Sequence, residues 1–245
     1  MKRTVLIVGG VISLLAAALP ARAQTSPELQ AFQEAAGDRS ALFRGPQAER
    51  YEYIANGHPY WSTREFKPGD IVFEGNSYVG IPLNIDAMAQ RLLVQLSNGA
   101  FAISLTPDQV SSFEVEGHRF VGVGPGTKDL SEGFYEVFGP GPEHVYKRVN
   151  KQIAPNTHNV NGEAIGYEDP DYRDNLTSYY AISTSYYFRD RGGRVSRFRG
   201  REALIGKFGD RKREVRKAVR AARLDKSNIS LDAYCELVLQ IAASL

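Results

Sequence analysis

Leu92-Leu93-Val94-Gln95-Leu96-Ser97-Asn98-Gly99-Ala100-Phe101-Ala102-Ile103-Ser104-Leu105 is the stretch that decides the fold class. Asn-Gly tolerates positive φ at two successive positions, as the type I′ turn of a hairpin requires. A two-residue loop at Asn98-Gly99 sets Leu96 against Phe101, Val94 against Ile103 and Leu92 against Leu105. Side chains alternate along a strand, so these pairs share one face, while Gln95 opposite Ala102 and Leu93 opposite Ser104 take the other. Turn chemistry and apolar pattern agree on an antiparallel hairpin with one buried side.

The same grammar extends outward in both directions. Asn56-Gly57 would pair Tyr53 with Tyr60 and Glu52 with Trp61, and Pro59 places that second strand at an edge. Gly75-Asn76 would set Phe73 against Tyr78. At Glu116-Gly117-His118 two registers are open: Phe113 with Phe120 and Glu114 with Arg119, or Val115 with Phe120 and Glu116 with Arg119. Either brings opposite charges across the strands. Gly139-Pro140-Gly141-Pro142 separates two further strands, 134–138 and 144–149, and strand pattern returns at 179–188 and 195–198 around Gly192-Gly193. Turns spaced this evenly spell an antiparallel meander.

On either side the period changes. Residues 27–36 read as a short helix capped by Ser26, with Leu29, Phe32 and Ala36 as its stripe. Residues 154–178 are dense in Asn, Gly, Pro and Asp and read as a long loop. Three helices close the chain. The first, 201–208, carries Leu204, Ile205 and Phe208 on one face and stops at Gly209. The second runs from an Asp210 cap to about Arg223 with Val215, Ala218, Val219 and Ala222 as a narrow stripe. The third opens at Ser227 or Ser230 and buries Tyr234, Leu237, Val238 and Ile241. The fold class expected is α+β, mainly antiparallel β: a meander bent into a roll or open barrel with a C-terminal helical appendage. The expected parts are 1–23, 24–49 (helix and linker), 50–198 (β domain) and 199–245 (basic helical segment).

The first part reads as an export signal. Lys2 and Arg3 precede an apolar run at 5–19, then Pro20 and Ala21-Arg22-Ala23, with cleavage expected before Gln24. The run is 15 residues, short of the roughly 20 needed to span a bilayer. The expected location is periplasmic or outer-membrane-associated, with no transmembrane segment in the mature chain. Cys235 is the only cysteine, so no internal disulfide forms, and its helical apolar setting reads as a small buried residue rather than a reactive thiol.

A formal net charge of +2 hides an asymmetry. Residues 189–226 hold 15 Lys or Arg against 5 Asp or Glu, while 24–188 hold 12 basic against 21 acidic. Arg211, Lys212, Arg213, Arg216 and Lys217 are the candidate anion-binding residues, facing lipid head groups, acidic glycans or an acidic envelope protein. The alternative is a solvated helix face that balances the acidic β-region. Nucleic acid suits the charge but not an exported protein. The narrow apolar stripe lacks Trp or Phe, which argues against a helix lying in a membrane interface.

No pattern of catalysis or metal binding stands out. His58, His118, His144 and His158 are scattered, without ligand spacing. Asp169, Asp171 and Asp174, beside Glu168, fail the calcium-loop pattern because its sixth position is Asp174 and its twelfth Tyr180. Gly75-Asn76-Ser77-Tyr78-Val79-Gly80 has one residue too many for a nucleophile elbow. Gly122-Val123-Gly124-Pro125-Gly126 reads as a turn, since Pro125 removes a donor and no long helix follows. No catalytic residue, metal or cofactor is assigned. Tyr60, Trp61, Tyr180 and Tyr187 are candidate ligand-binding aromatics, because in adjacent aromatic pairs one ring of each faces outward on a regular strand.

The blocks Gly69-Asp70-Ile71-Val72-Phe73-Glu74-Gly75, Tyr78, Ile81-Pro82-Leu83-Asn84-Ile85-Asp86 and Gly133-Phe134-Tyr135-Glu136-Val137 resemble exported proteins of Bacteroidota. So does the ending: a Tyr-Tyr strand, a Gly turn, a basic strand, Leu204, Phe208, Arg211-Lys212-Arg213 and a final amphipathic helix. The resemblance implies an envelope location and a β-then-helix architecture, and transfers no activity or site. The function expected is a non-enzymatic envelope protein that binds or scaffolds. Its alternatives are an exported hydrolase of glycan or cell-wall material and a lipid or lipoprotein carrier.

Overall fold

The computed structural model describes Ala31 and residues 35–51, 57–155 and 178–245. Most of the helix expected at 27–36, the Tyr53 and Glu52 half of the Asn56-Gly57 hairpin, the acidic loop around Asp171 and His158 lie outside these residues. Ten antiparallel strands form one sheet in the order β10-β9-β8-β7-β6-β5-β1-β2-β3-β4. They are β1 (Lys67–Phe73), β2 (Asn76–Asp86), β3 (Arg91–Gln95), β4 (Ala102–Leu105), β5 (Val110–Val115), β6 (His118–Val123), β7 (Gly133–Phe138), β8 (His144–Pro155), β9 (Ser178–Arg189) and β10 (Val195–Phe198). The sheet is not closed, so the α+β, mainly antiparallel class and the roll or open barrel expected from the sequence describe the molecule.

The hairpin register of β3 and β4 pairs Leu92 with Leu105 and Val94 with Ile103, as the pattern requires. The turn itself differs. Gly99 is left-handed at φ 68° and Asn98 is not. Gly99 N–H donates to Leu96 O at 2.9 Å, and Asn98 Oδ1 accepts the Ala100 N–H at 2.9 Å. A four-residue loop keeps the same pairing parity as a two-residue loop, so the strands do not register the change. At Glu116-Gly117 the first of the two open registers holds, with Phe113 against Phe120 and Glu114 against Arg119. Glu116 and Gly117 both have positive φ, 51° and 79°, as a type I′ turn demands.

The β1–β2 turn corrects an expectation. It falls at Glu74-Gly75, with φ 47° and 78°, not at Gly75-Asn76. Phe73 therefore opposes Asn76, and Ile71 opposes Tyr78. A slip of two residues leaves every side chain on the same face, so the apolar pattern cannot detect it. Type I′ geometry favours glycine as the second central residue, and the Glu74 N–H is held by Gln109 O at 3.0 Å. Tyr60 is not in a long strand: it makes a single bridge to Asp86, flanked by Trp61 N–H to Ile85 O and Ala87 N–H to Pro59 O.

Strand order shows why the sheet bends. β1 pairs with β2 on one side and β5 on the other, while β5 follows β4 after the turn at 106–109. That turn is closed by Gln109 N–H to Thr106 O at 3.1 Å, so its ends lie within about 7 Å. In a flat sheet β4 and β5 would stand four strand spacings apart, about 19 Å. The first five strands therefore curl around a core of Ile71, Phe73, Leu83, Leu92, Ile103, Val110 and Phe113, plugged by Leu42. The chain at 46–48 covers the outer edge of β4 through Ser104 N–H to Pro46 O and Ala48 N–H to Ala102 O. Gly122 on β6 faces the tight turn. A Cβ there would meet the carbonyl oxygens of Pro107 and Val110, both at 2.1 Å.

Beyond β6 the same face of the sheet is covered by three helices, α1 (Gly200–Gly206), α2 (Lys212–Ala221) and α3 (Leu231–Ser244). They close a second core of Phe138, Val145, Phe188, Phe198, Leu204, Phe208, Val215, Val219, Tyr234, Cys235 and Val238. Three helical expectations shift. Asp210 does not cap α2, which is entered through a 3-10 turn over Gly209–Arg211. Ala222 of the expected stripe is exposed. Leu237 is 37% exposed, and Tyr234, Cys235, Val238, Leu239 and Ala242 are the buried side of α3. α3 lies between the sheet and the other two helices, so its apolar arc is wider than one stripe. Ser230 Oγ accepts the Ala233 N–H at 3.1 Å and is the cap.

Gly122→Ala drives a methyl group into two backbone oxygens and is expected to cost about 1–3 kcal/mol, read as a fall in Tm. Gly141→Ala, where the added atom meets only Ala243 Cβ at an ordinary 3.5 Å, leaves the Tm unchanged. Equal melting of both variants contradicts the close approach.

Candidate functional site

The basic run divides once α2 is seated. Val215 and Val219, four residues apart, are fully buried in the second core and fix which way the helix faces. Arg211, in the turn before the helix, points inward. Its Nη1 reaches both carboxylate oxygens of Glu143 at 2.9 and 2.8 Å, and its Nη2 donates to Ala242 O at the end of α3. The Glu143 side chain is 7% exposed and also receives Arg191 at 3.4 Å. Arg211 is a bolt between the 142–143 corner, α2 and α3, and does not belong to a free anion-binding face.

The other four candidates face out. Lys212, Arg213 and Lys217 are exposed, as is Arg220, and none of these has an ion-pair partner among the described residues. Arg216 donates to Glu202 at 2.8 Å in an exposed pair, while its Nε is shut away from solvent with no acceptor among the described residues. Lys212, Arg213, Arg216, Lys217 and Arg220 line a shallow hollow of about 410 Å³. Lys212–Arg216, Arg213–Lys217 and Arg216–Arg220 are like-charge pairs four apart, which destabilise a helix by a few tenths of a kcal/mol each. An anion in the hollow removes that repulsion.

The candidate aromatics do not form one platform. Trp61 packs edge-on against Phe120 and His118, at centroid distances of 5.2 and 5.0 Å, over the first core. Tyr60 stacks on His58 at 5.8 Å, and burial, then the Asp86 charge, raises its hydroxyl pKa. Tyr180 sits beside Gly57. Tyr187 lies seven residues further along β9, about 23 Å away, and an odd separation puts the two rings on opposite faces. Tyr187 opposes Tyr146 on the face of the sheet away from the helices.

The charges that hold the helical segment to the sheet escaped sequence reading, because they meet only in the fold. Lys147 Nζ on β8 lies 3.0 Å from Glu136 Oε2 on β7 and 2.6 Å from Asp232 Oδ2 on α3. Tyr186 OH donates to Asp232 Oδ1 at 2.7 Å, and His118 Nδ1 lies 2.6 Å from Glu136 Oε1. Burial pulls the Lys147 pKa down, but Asp232 and Glu136 together outweigh it and raise the value. The Tyr186 hydroxyl is pushed up by burial and then by Asp232. Burial, then Asp232 and Glu236, pushes the Cys235 thiol up to about 12. The two carboxylates that converge here are both tied to one lysine.

Compared with known family models, curated proteins and solved structures, the chain matches none. Among the described residues no helix is long and apolar enough to cross a membrane.

Removing Arg211 takes away the two-point contact and leaves the buried Glu143 with the exposed Arg191 at 3.4 Å as its ion-pair partner. Arg211→Ala is expected to cost about 3–5 kcal/mol in denaturant unfolding, whereas Lys212→Ala leaves the midpoint unchanged; equal effects remove the distinction between bolt and free face. The pH dependence follows from the raised values. An unfolded thiol ionises near ~8.5 and an unfolded tyrosine near ~10, before their folded counterparts, so the unfolded chain loses protons first and stability falls as pH rises past ~8.5. Lys147, with its folded value raised, keeps its full contribution below ~10.4 and loses it above. Denaturation midpoints should decline steadily from pH 8.5 to 11, and Cys235→Ala should flatten the first part of that decline.

Proposed function

We propose that this protein is an exported, non-enzymatic envelope module that binds anionic lipid head groups through the outer face of α2. The observation that carries the reading is the division of the basic run. Arg211 is consumed in docking the helix, while Lys212, Arg213, Lys217 and Arg220 project, with no ion-pair partner among the described residues, from a helix that the buried Val215 and Val219 hold in place. A charge run that only braced the fold would be paired with the acidic strands.

The apolar side of α2 is spent on the core, so the contact is electrostatic and does not insert. Such contacts gain about 1 kcal/mol per basic residue near an anionic surface and are screened within about a Debye length. The export pattern read at 1–23 supports the compartment. Two further arrangements support binding over catalysis or carriage. Glu136 and Asp232, the carboxylates that meet, are bridged by Lys147, and the inside of the roll is filled by side chains such as Phe73, Leu92 and Phe113.

The test is a salt titration of binding to vesicles with and without anionic phospholipid. The mature chain is compared with a variant carrying Lys212, Arg213, Lys217 and Arg220 changed to Gln. Four lost contacts amount to about 4 kcal/mol, roughly a thousandfold in affinity. Binding that weakens steeply with salt and disappears in the variant supports the reading. Vesicle binding that survives the four changes, or none by the wild type at low salt, overturns it.

A further inference from the structure

The face of the sheet turned away from both cores carries a second cationic site of a different kind. Register fixes its members. Tyr146 on β8 lies directly opposite Tyr187 on β9, and Arg197 on β10 lies opposite Tyr187. Arg189 opposes His144 two residues along from this tyrosine pair, and Arg148 opposes Ser185 two residues along the other way. On the remaining side the pairing of Phe120 with Glu136 and of Val137 with Tyr146 brings Arg119 into the same row. Side chains two apart on a strand, or directly opposed across strands, share a face. Two half-buried tyrosines therefore sit inside a ring of four guanidiniums.

Each guanidinium is held, and each is held by a neutral group. Arg119 Nη2 donates to Gly139 O at 3.2 Å, and Arg148 Nε to Gln90 Oε1 at 3.2 Å. Arg189 Nη1 donates to Pro142 O at 3.3 Å, and Arg197 Nη2 to Ser185 Oγ at 2.8 Å. None of the four forms an ion pair among the described residues. Glu114, directly across from Arg119, is not within ion-pair distance. The positive field is felt by the neighbours: the His144 pKa is lowered by burial first and then by Arg189 and Arg119. Arg119 shares its row with Glu114 and, one strand further, Asp70, whereas Arg148, Arg189 and Arg197 have no carboxylate directly opposite them; ordered cations of that kind are pre-organised for an anion, because the ordering cost is met in the free protein.

We propose that this face binds an acidic oligosaccharide, with sugar rings over Tyr146 and Tyr187 and carboxylates on the surrounding arginines. The ligand must be uncharged and weakly apolar over the tyrosine pair and anionic at its margins. A pyranose ring bearing a carboxylate has that layout, and guanidinium forks match carboxylates. Tyrosine offers an apolar body with a polar tip, which suits a ring with both C–H and hydroxyl surfaces. Arg119 and Arg197 stand four strand spacings apart, about 19 Å, which is room for several sugars rather than one. The site shares no residue with the outer face of α2 and does not depend on the lipid-binding reading.

The test is calorimetric titration of the mature chain with (1→4)-linked tetragalacturonate, with a neutral tetrasaccharide, and with a single-stranded DNA tetramer. Supporting results are binding of tetragalacturonate alone and a loss of tenfold or more in both Arg197→Gln and Tyr187→Ala. Arg197 is exposed, so its variant keeps the fold should Tyr187→Ala unfold; Tyr187→Phe should retain most of the binding. The variant with Lys212, Arg213, Lys217 and Arg220 changed to Gln should bind tetragalacturonate as the wild type does. No binding of the acidic sugar, tighter binding of DNA, or loss of sugar binding only in the α2 variant overturns the proposal.

Discussion

One short turn governs the shape of this protein. The chain must pass from β4 at one margin of the first five strands to β5 beside β1 through the residues at 106–109. Only a strongly bent sheet allows that. Bending puts the apolar faces of β1–β5 around a common interior, which Leu42 and the Phe113–Phe120 stack complete. It also sets the glycine at 122, because the turn lies against β6 with no room for a side chain. From β7 onward the strands have no partner sheet to curl against. Their inner face, with Phe138, Val145 and Phe188, would be wet without the helices that cover it.

Docking those helices takes more than apolar burial. Lys147 is clamped between Glu136 of the sheet and Asp232 of α3, and Arg211 ties Glu143 to the end of α3. Arg201 donates to Leu224 O, Ser227 O and Ile229 O while lying over the Tyr234 ring at 4.8 Å. Such buried ion pairs add little net stability over apolar packing. They do specify one seating of the helices, since a shifted helix would strand a charge. With the seating set, the basic run sorts by geometry: Arg201 and Arg211 hold the fold, Lys212, Arg213, Lys217 and Arg220 face solvent beyond α2, and Arg189 and Arg197 join the open face of the sheet.

Much of the strand layout could be read from residues. The β3–β4 pairing, the β10 strand and the stripe of Val215 and Val219 follow from period and turn chemistry, which are local. Errors fall where two local solutions are degenerate. The β1–β2 slip moves the pairs nearest the turn by two positions yet leaves each of those side chains on its face, a bulge between Gly69 and Ile71 takes up one residue beyond them, and a four-residue loop at Asn98-Gly99 serves the same register as a two-residue one. Leu237 and Ile241 fit a one-sided helix as well as Cys235 and Leu239 fit a helix packed on two sides; the number of neighbours decides between them. Tyr187 was legible as an outward ring. That Tyr146 would be its partner, and arginines from β6, β8, β9 and β10 its surroundings, was not.

Whatever depends on neighbours along the chain can be read from residues alone: alternation, turns, caps, the antiparallel class and the concentration of basic charge at 189–226. Which of those charges are spent and which remain is set by packing in three dimensions. Glu143 and Arg211 meet, and Arg119 and Arg197 come to share one face of the sheet, because a bent sheet and three docked helices bring distant parts of the chain together. Pairing between charges depends on distance in space, and no spacing along the chain encodes it.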